Sequence, residues 1–121
     1  MTTVRAIELR MIGLPLVGPF RTSFGVETEK VCLLARVVTD DAEGWGECVS
    51  GIDPGYSEEF NEGVWLVIRG FLAPVLFSTG DVTIDDLDRV LSGVRGNPMA
   101  KATVVDAFLD AELRANGRSL A

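Results

Sequence analysis

From Val4 to Ile12 apolar and charged positions alternate, with Ile7, Leu9 and Met11 on one face and Glu8 and Arg10 on the other, the period of two that marks a strand. Leu14 to Phe20 prolongs it, but Pro15 and Pro19 have no N–H for a ladder, so this stretch is predicted to follow a sheet edge or leave the sheet. A loop then crosses to Phe24-Gly25. Val31 to Val38 is apolar on both alternating sets, which predicts a central strand buried on both sides. Asp40-Asp41-Ala42-Glu43-Gly44 reads as a hairpin turn, and Gly44 to Val49 returns as a third antiparallel strand. The pattern predicts a three-stranded meander.

After the loop Ser50 to Gly55 the period changes to that of a helix. Ser57 is placed to accept backbone N–H groups, Glu58 and Glu59 suit the positive helix end, and Phe60, Val64, Val67, Ile68 and Phe71 recur at helical spacing. Thr83 and Asp86 resemble a capping box opening a shorter helix through Leu91. Asn97-Pro98 reads as a capping side chain followed by the one helical position that tolerates proline, and Asn116-Gly117 as the matching stop. This last helix has two apolar stripes, Ala100, Val104, Ala107, Phe108, Ala111 and Ala102, Val105, Leu109, Leu113; the second needs a further helix or an outside partner. The prediction is one α+β domain over residues 1–121, strands within about 4–49 and a helical bundle within about 57–116.

Hydrophobic residues make up 47% of the chain and 13 more residues are glycine, above the usual apolar share of about 45–50% with glycine included. A small domain has little interior in which to hide such residues, so part of the surface is expected to be covered by another domain or chain. The net charge of −7, with no basic run, argues against nucleic-acid or anionic-membrane binding. Unbroken apolar runs are short, and no membrane span is predicted from them. Cys32 and Cys48 lack paired spacing and read as reduced core thiols, in keeping with a cytoplasmic protein.

Histidine is absent, which removes the commonest general base and metal ligand. No nucleophile elbow or Ser-x-x-Lys is present, and Lys30 and Lys101 stand far apart. The acidic groups Asp40, Asp41, Glu43 and Asp81, Asp85, Asp86, Asp88 sit at a hairpin tip and a helix start, where acids serve turns and dipoles, and have no metal-ligand pattern. Glu47 reads as a half-buried strand carboxylate. No catalytic residue and no metal ligand is assigned.

Two Gly-punctuated segments carry a further signal: Pro19-Phe20-Arg21-Thr22-Ser23-Phe24-Gly25 and Gly44-Trp45-Gly46-Glu47-Cys48-Val49, followed by Pro54, Tyr56-Ser57-Glu58-Glu59 and Met99-Ala100-Lys101-Ala102. In this order they resemble the N-terminal capping domain of the enolase superfamily, muconate lactonizing subgroup, and in particular o-succinylbenzoate synthases and N-acylamino acid racemases. The resemblance covers essentially the whole chain. It implies an enolase N-terminal domain-like fold without the catalytic barrel, which in the family begins about where this chain stops.

It also implies a role. In that family a Lys or His base and Mg²⁺ act on a proton next to a carboxylate, and in this subgroup a Lys-x-Lys pair, a separate lysine and three acidic ligands come from the barrel. The chain is therefore expected to bind no cofactor itself, with Mg²⁺ in the complete enzyme. Two lid loops, Gly18 to Gly25 and Ser50 to Gly55, are expected to close over the barrel and a small carboxylate substrate. Phe20 and Ile52 are the candidate apolar walls and Arg21, Thr22 and Ser23 the candidate polar contacts; Phe20 and Phe24 read equally as core anchors. Gly51 and Gly55 stand where relatives have larger apolar side chains, implying a wider pocket. The parent reaction implied first is dehydration to o-succinylbenzoate in menaquinone synthesis, then racemisation of an N-acylamino acid or a muconate cycloisomerase-like reaction. The implied partner is the barrel, in cis or trans; a stand-alone interaction module, with possible self-association, is the competing class.

Overall fold

The computed structural model describes residues 2–22 and 25–119, with the side chains of Phe20, Thr22 and Glu27 also outside the description. The predicted meander is present. Strands β1 (Thr2–Thr22), β2 (Gly25–Thr39) and β3 (Glu43–Cys48) run antiparallel in consecutive order. A two-residue strand, β4 (Asp81–Val82), joins the far side of β1 at Thr2 and Thr3, giving the order β3-β2-β1-β4. This fourth strand is too short for any periodic signal. β1 is much longer than its alternating core, because Leu14 to Thr22 stays paired with β2, with a register shift between Pro15 and Phe20. Beyond Thr3 β1 has no second neighbour among the described residues, so both prolines fall on an edge strand, where proline is tolerated.

The helices cover one face of this sheet. A helical run from Asn61 to Thr79 consists of α1 (Asn61–Val67), a π turn (Ile68–Leu72) and α2 (Ala73–Thr79); α3 (Leu87–Leu91) and α4 (Pro98–Ala115) follow. Val64, Ile68, Leu72 and Leu76 of the long run join Leu33, Val37, Leu91, Val104 and Phe108 in one core. The first stripe of α4 is wholly buried, whereas in the second Val105, Leu109 and Leu113 are half-buried and Ala102 is exposed. Gly44 and Gly46 of β3 let α4 lie directly on the strand: a Cβ on Gly44 would sit 2.2 Å from the Ala107 oxygen, and one on Gly46 2.2 Å from the Thr103 oxygen.

Several sequence expectations are corrected. β2 is central, and Leu33, Ala35 and Val37 on the helix side are fully buried; on the reverse Cys32 is buried, but Leu34, Arg36 and Val38 are half-buried. Instead of a second apolar layer, that reverse face has an ion network in which Arg36 bonds Glu8 at 3.0 Å and also Glu43, while Arg10 lies 5.7 Å from the Trp45 ring centre. Glu47 is exposed rather than half-buried.

Ser57 does not cap a helix. Its hydroxyl donates to the Glu59 carbonyl, and α1 starts at Asn61 with extended Phe60 in the cap position. The reason is that residues 51–60 close a loop: Gly51 bridges Phe60, and the Asn61 N–H donates to the Gly51 carbonyl. Phe71, predicted on the buried stripe, is 61% exposed, and Leu72 is buried in its place. The π turn causes this shift. Pro74 has no N–H to give Gly70, so the helix widens there by one residue and the buried face moves on.

Asn97 adopts the left-handed conformation (φ 56°) and its amide donates to the Arg95 carbonyl, so it opens α4 without capping it. The Thr83–Asp86 capping box and the Asn116-Gly117 stop are as predicted. By length and composition the run Asn61–Thr79 is also apolar enough to cross a membrane, contrary to the expectation from short runs. In this fold its buried side chains form a wall of the core.

Candidate functional site

β3 ends at Cys48 opposite Leu33, while β1 and β2 remain paired through Gly13↔Val31 and on to Thr22↔Gly25. The sheet therefore narrows at this end to a two-stranded ribbon. The predicted loop Gly18 to Gly25 is largely the tip of that ribbon: Phe20 pairs with Glu27, Arg21 with Val26 and Thr22 with Gly25. Arg21 is exposed and has no ion-pair partner among the described residues. Ser23, and with it Phe24, lies outside the described residues, as do the side chains of Phe20 and Thr22.

The second predicted loop leaves the same end of the sheet, directly after β3. Its base is a buried polar chain. The Ser50 hydroxyl donates to Asn61 Oδ1 at 2.7 Å, lies 3.1 Å from Cys48 Sγ, and Asn61 Nδ2 donates to the Val31 carbonyl at 3.1 Å. Asn61 thus ties the loop both to its own start and to the root of the ribbon. Glu59, at the loop's end, reaches across to α4, where its carboxylate accepts the N–H groups of Met99 and Ala100 at 2.9 and 3.1 Å.

Between these anchors Gly51 and Ile52 are exposed, Ile52 by 65%. Leu14, Val17, Val26 and Val49 add further exposed apolar side chains at the same end. Such a concentration on the ribbon and loop is a surface suited to being covered. The structure brings the roots of the two segments together but not their tips. Arg21 is five ladder steps beyond Val31, roughly 17 Å at the rise of a strand, and no hydrogen bond or ion pair joins it to Ile52 among the described residues.

Several of the remaining candidate acids are held in local contacts. Asp40 pairs with Arg5, Glu43 with Arg36, and Asp86 accepts hydrogen bonds from Thr83. Among the described residues no three acidic or cysteine side chains converge in a group that could hold a metal ion. Both cysteines are free and buried; burial, then the neighbouring Glu47, pushes the Cys32 thiol up, away from the reactive thiolate. A cleft of about 540 Å³ is lined by Leu91, Ser92, Arg95 and Lys101, among others, and includes no residue of either loop.

Ser50, Glu59 and Asn61, which hold the site together, carried no sequence signal as a group. Each bonds to a partner distant in the chain, and only local spacing is visible in a single sequence.

No family model matches the chain. It is 47% identical over 115 residues to an N-succinylamino acid racemase from Amycolatopsis, covering 95% of this chain and 31% of the relative. It is 35% identical over 108 residues to an o-succinylbenzoate synthase from Geobacillus stearothermophilus, covering 88% and 29%. A solved enolase-superfamily member from Listeria innocua superposes with a TM-score of 0.88 at 28% identity, covering 96% of this chain and 32% of that one. The chain spans about a third of the length of the curated relatives it matches.

Proposed function

The chain belongs to the enolase superfamily, where it corresponds to the N-terminal capping domain, and we propose that its ribbon tip and 50s loop form a lid over the active site of a barrel domain supplied by the remaining two-thirds of such a protein. The observation that carries this reading is the common root of the two segments. A ribbon and a loop anchored at Val31, Ser50 and Asn61 can move as one body, with exposed apolar side chains at their ends. A lid of this kind excludes water and selects substrate, while the reacting groups lie elsewhere.

The substrate we propose is a small carboxylate bearing a succinyl group, a feature common to the names of both relatives. Arg21, exposed and without an ion-pair partner among the described residues, is the side chain suited to meet a carboxylate, since a guanidinium can bind one bidentately. Ile52 would wall the apolar part, and Gly51 beside it leaves room. The base and Mg²⁺ belong, in this reading, to the barrel. Racemisation of an N-succinylamino acid, in which the α-proton leaves one face and another returns to the opposite face, is favoured by the 47% identity to the racemase. Dehydration to o-succinylbenzoate is the second reading, supported by the 35% identity to a synthase.

The test mixes this chain with the separately expressed barrel of the Amycolatopsis relative in Mg²⁺ and follows racemisation of an N-succinylamino acid by polarimetry and o-succinylbenzoate formation by absorbance. Activity in the mixture and not in either part is expected, with Arg21→Ala raising KM more than it lowers kcat. Activity of the chain alone, or none in the mixture, overturns the reading.

A further inference from the structure

The outer edge of β1 holds a short open stretch with an apolar groove beside it. β4 occupies that edge only at Thr2 and Thr3, and among the described residues no further strand joins it from Val4 onward. The open stretch is bounded on the side of β4 by the register shift between Val4 and Ala6, and on the other by Pro15, which cannot donate to a ladder. Between these ends Ala6 to Leu14 contains no proline, so alternate residues present outward N–H and C=O groups to an added strand of about six residues. On the helix side of this edge an open cleft of about 270 Å³ runs between Ile7 and Leu9 of β1 and Trp65, Ala73 and the 47%-exposed Phe77 of the helical run. Arg69 is on its wall. That arginine is exposed and has no ion-pair partner among the described residues.

We propose that this edge and groove bind a short extended peptide of a partner protein by strand addition, with apolar side chains at alternate positions in the groove and a carboxylate against Arg69. A sheet edge flanked by a helix supplies both halves of such recognition: main-chain hydrogen bonds hold the added strand, and pockets for every second side chain select its sequence. Ile7, Leu9, Trp65 and Phe77 call for apolar side chains on that face, and the unpaired guanidinium of Arg69 calls for an Asp, a Glu or a chain end among them. The charges on the reverse face are not needed, since Glu8 and Arg10 are already engaged with each other, Arg36 and Trp45. A peptide of about six residues also ends before Thr3, where β4 fills the edge.

The test uses two end-capped hexapeptides that alternate threonine and valine and carry glutamate at the first or the last position, titrated into the ¹⁵N-labelled chain. At least one is expected to bind with a Kd below about 1 mM, to shift the amide signals of Ala6 to Ile12 and Trp65, and to slow exchange of alternate amides in β1. N-methylation of one alternate set of peptide nitrogens should abolish binding and of the other set should spare it, because only one set faces β1. Replacing the peptide glutamate by lysine should weaken binding about tenfold or more, as should Arg69→Glu, and the lysine peptide should recover on the Arg69→Glu chain; far-UV circular dichroism confirms that this variant is folded. No binding of either peptide overturns the proposal. So does binding indifferent to N-methylation of both sets, which forms no added strand, or binding indifferent to the charge exchange, which does not use Arg69. Peptide shifts that vanish when the separately expressed barrel is added would assign this edge to that domain and overturn the proposal as well.

Discussion

Glu59 and Ala100 are joined across 41 positions of sequence: the Ala100 N–H, at the start of α4, donates to Glu59 Oε1 at 3.1 Å, and Met99 N–H donates to the other oxygen at 2.9 Å. Pro98 has no N–H and Asn97 turns its side chain away, so this carboxylate is the cap of the helix, with its charge at the positive end.

Glu59→Ala removes the acceptor of two N–H groups, one of them fully buried, and should lower unfolding free energy by about 2 kcal/mol. Glu59→Gln keeps one oxygen acceptor and should lose roughly half as much. Urea unfolding followed by tryptophan fluorescence measures both. A Glu59→Ala protein as stable as the parent would mean that another group caps α4.

Gly44 and Gly46 permit a helix-on-strand approach that no side chain could occupy. With Gly46→Ala the new methyl would fall on the Thr103 carbonyl, and with Gly44→Ala on the backbone of Ala107 and Ala111. These are backbone atoms within a helix, so relief requires α4 to lift from β3. Either substitution should cost about 3 kcal/mol or more, whereas Gly18→Ala, with open space around its Cβ position, should cost little. Comparing Tm of the three variants is sufficient.

The meander, the last helix and the Thr83–Asp86 box were legible because each is written in local spacing: alternation in β1, proline and glycine at the ends of α4, a three-residue offset in the box. What escaped was non-local. Asn97 looks like a cap in sequence, yet the cap comes from Glu59. Ser57 looks like a helix start, but the Gly51–Phe60 bridge withholds residues 57–60 from the helix. Phe71 and Leu72 exchange places because one missing N–H at Pro74 widens the helix. In the candidate site, Arg21 and Ile52 could be named from motif resemblance, but their common root at Asn61 could not, since it joins positions 31, 50 and 61.

Acid should weaken the fold through carboxylates held ionised. The Asp86 carboxyl lies below its ordinary value of 3.8 because it accepts from the Thr83 hydroxyl and N–H and faces Arg89. Glu8 lies below 4.5 through Arg10 and then Arg36, and Asp40 below 3.8 through Arg5. A carboxyl whose pKa is lower in the folded than in the unfolded state stabilises fully above the unfolded value, and that contribution is lost as pH falls through the folded one. Stability should therefore be flat near neutrality and fall as pH drops from about 5 toward 3. Asp86→Asn should flatten that slope and lower stability at pH 7. Urea midpoints across this range give the slopes, and an unchanged slope in Asp86→Asn would remove Asp86 from the explanation.

The buried chain Cys48–Ser50–Asn61–Val31 makes a prediction that reaches the proposed lid. Asn61 is 2% exposed and its side chain serves two partners at once, accepting from Ser50 and donating to the Val31 carbonyl. Asn61→Ala takes the side-chain donor from the Val31 carbonyl and leaves the buried Ser50 hydroxyl with Cys48 Sγ alone, which should cost about 2 kcal/mol. Its local effect should exceed its global one, because residues 51–60 then lose their side-chain tie to the root of the ribbon and keep the Gly51–Phe60 bridge, the Asn61 N–H bond to Gly51 and the Glu59 bonds to α4. Amide exchange should speed up in residues 51–58 and at the root of the ribbon near Val31 well before it does in α4. Asn61→Asp retains the acceptor for Ser50 but sets a carboxylate against the Val31 carbonyl, so it should free the ribbon more than the loop. If the two segments are one lid, Asn61→Ala should also weaken substrate binding in the reassembled enzyme more than it slows turnover. Equal acceleration of exchange everywhere would show that Asn61 supports the fold as a whole and does not couple the two segments.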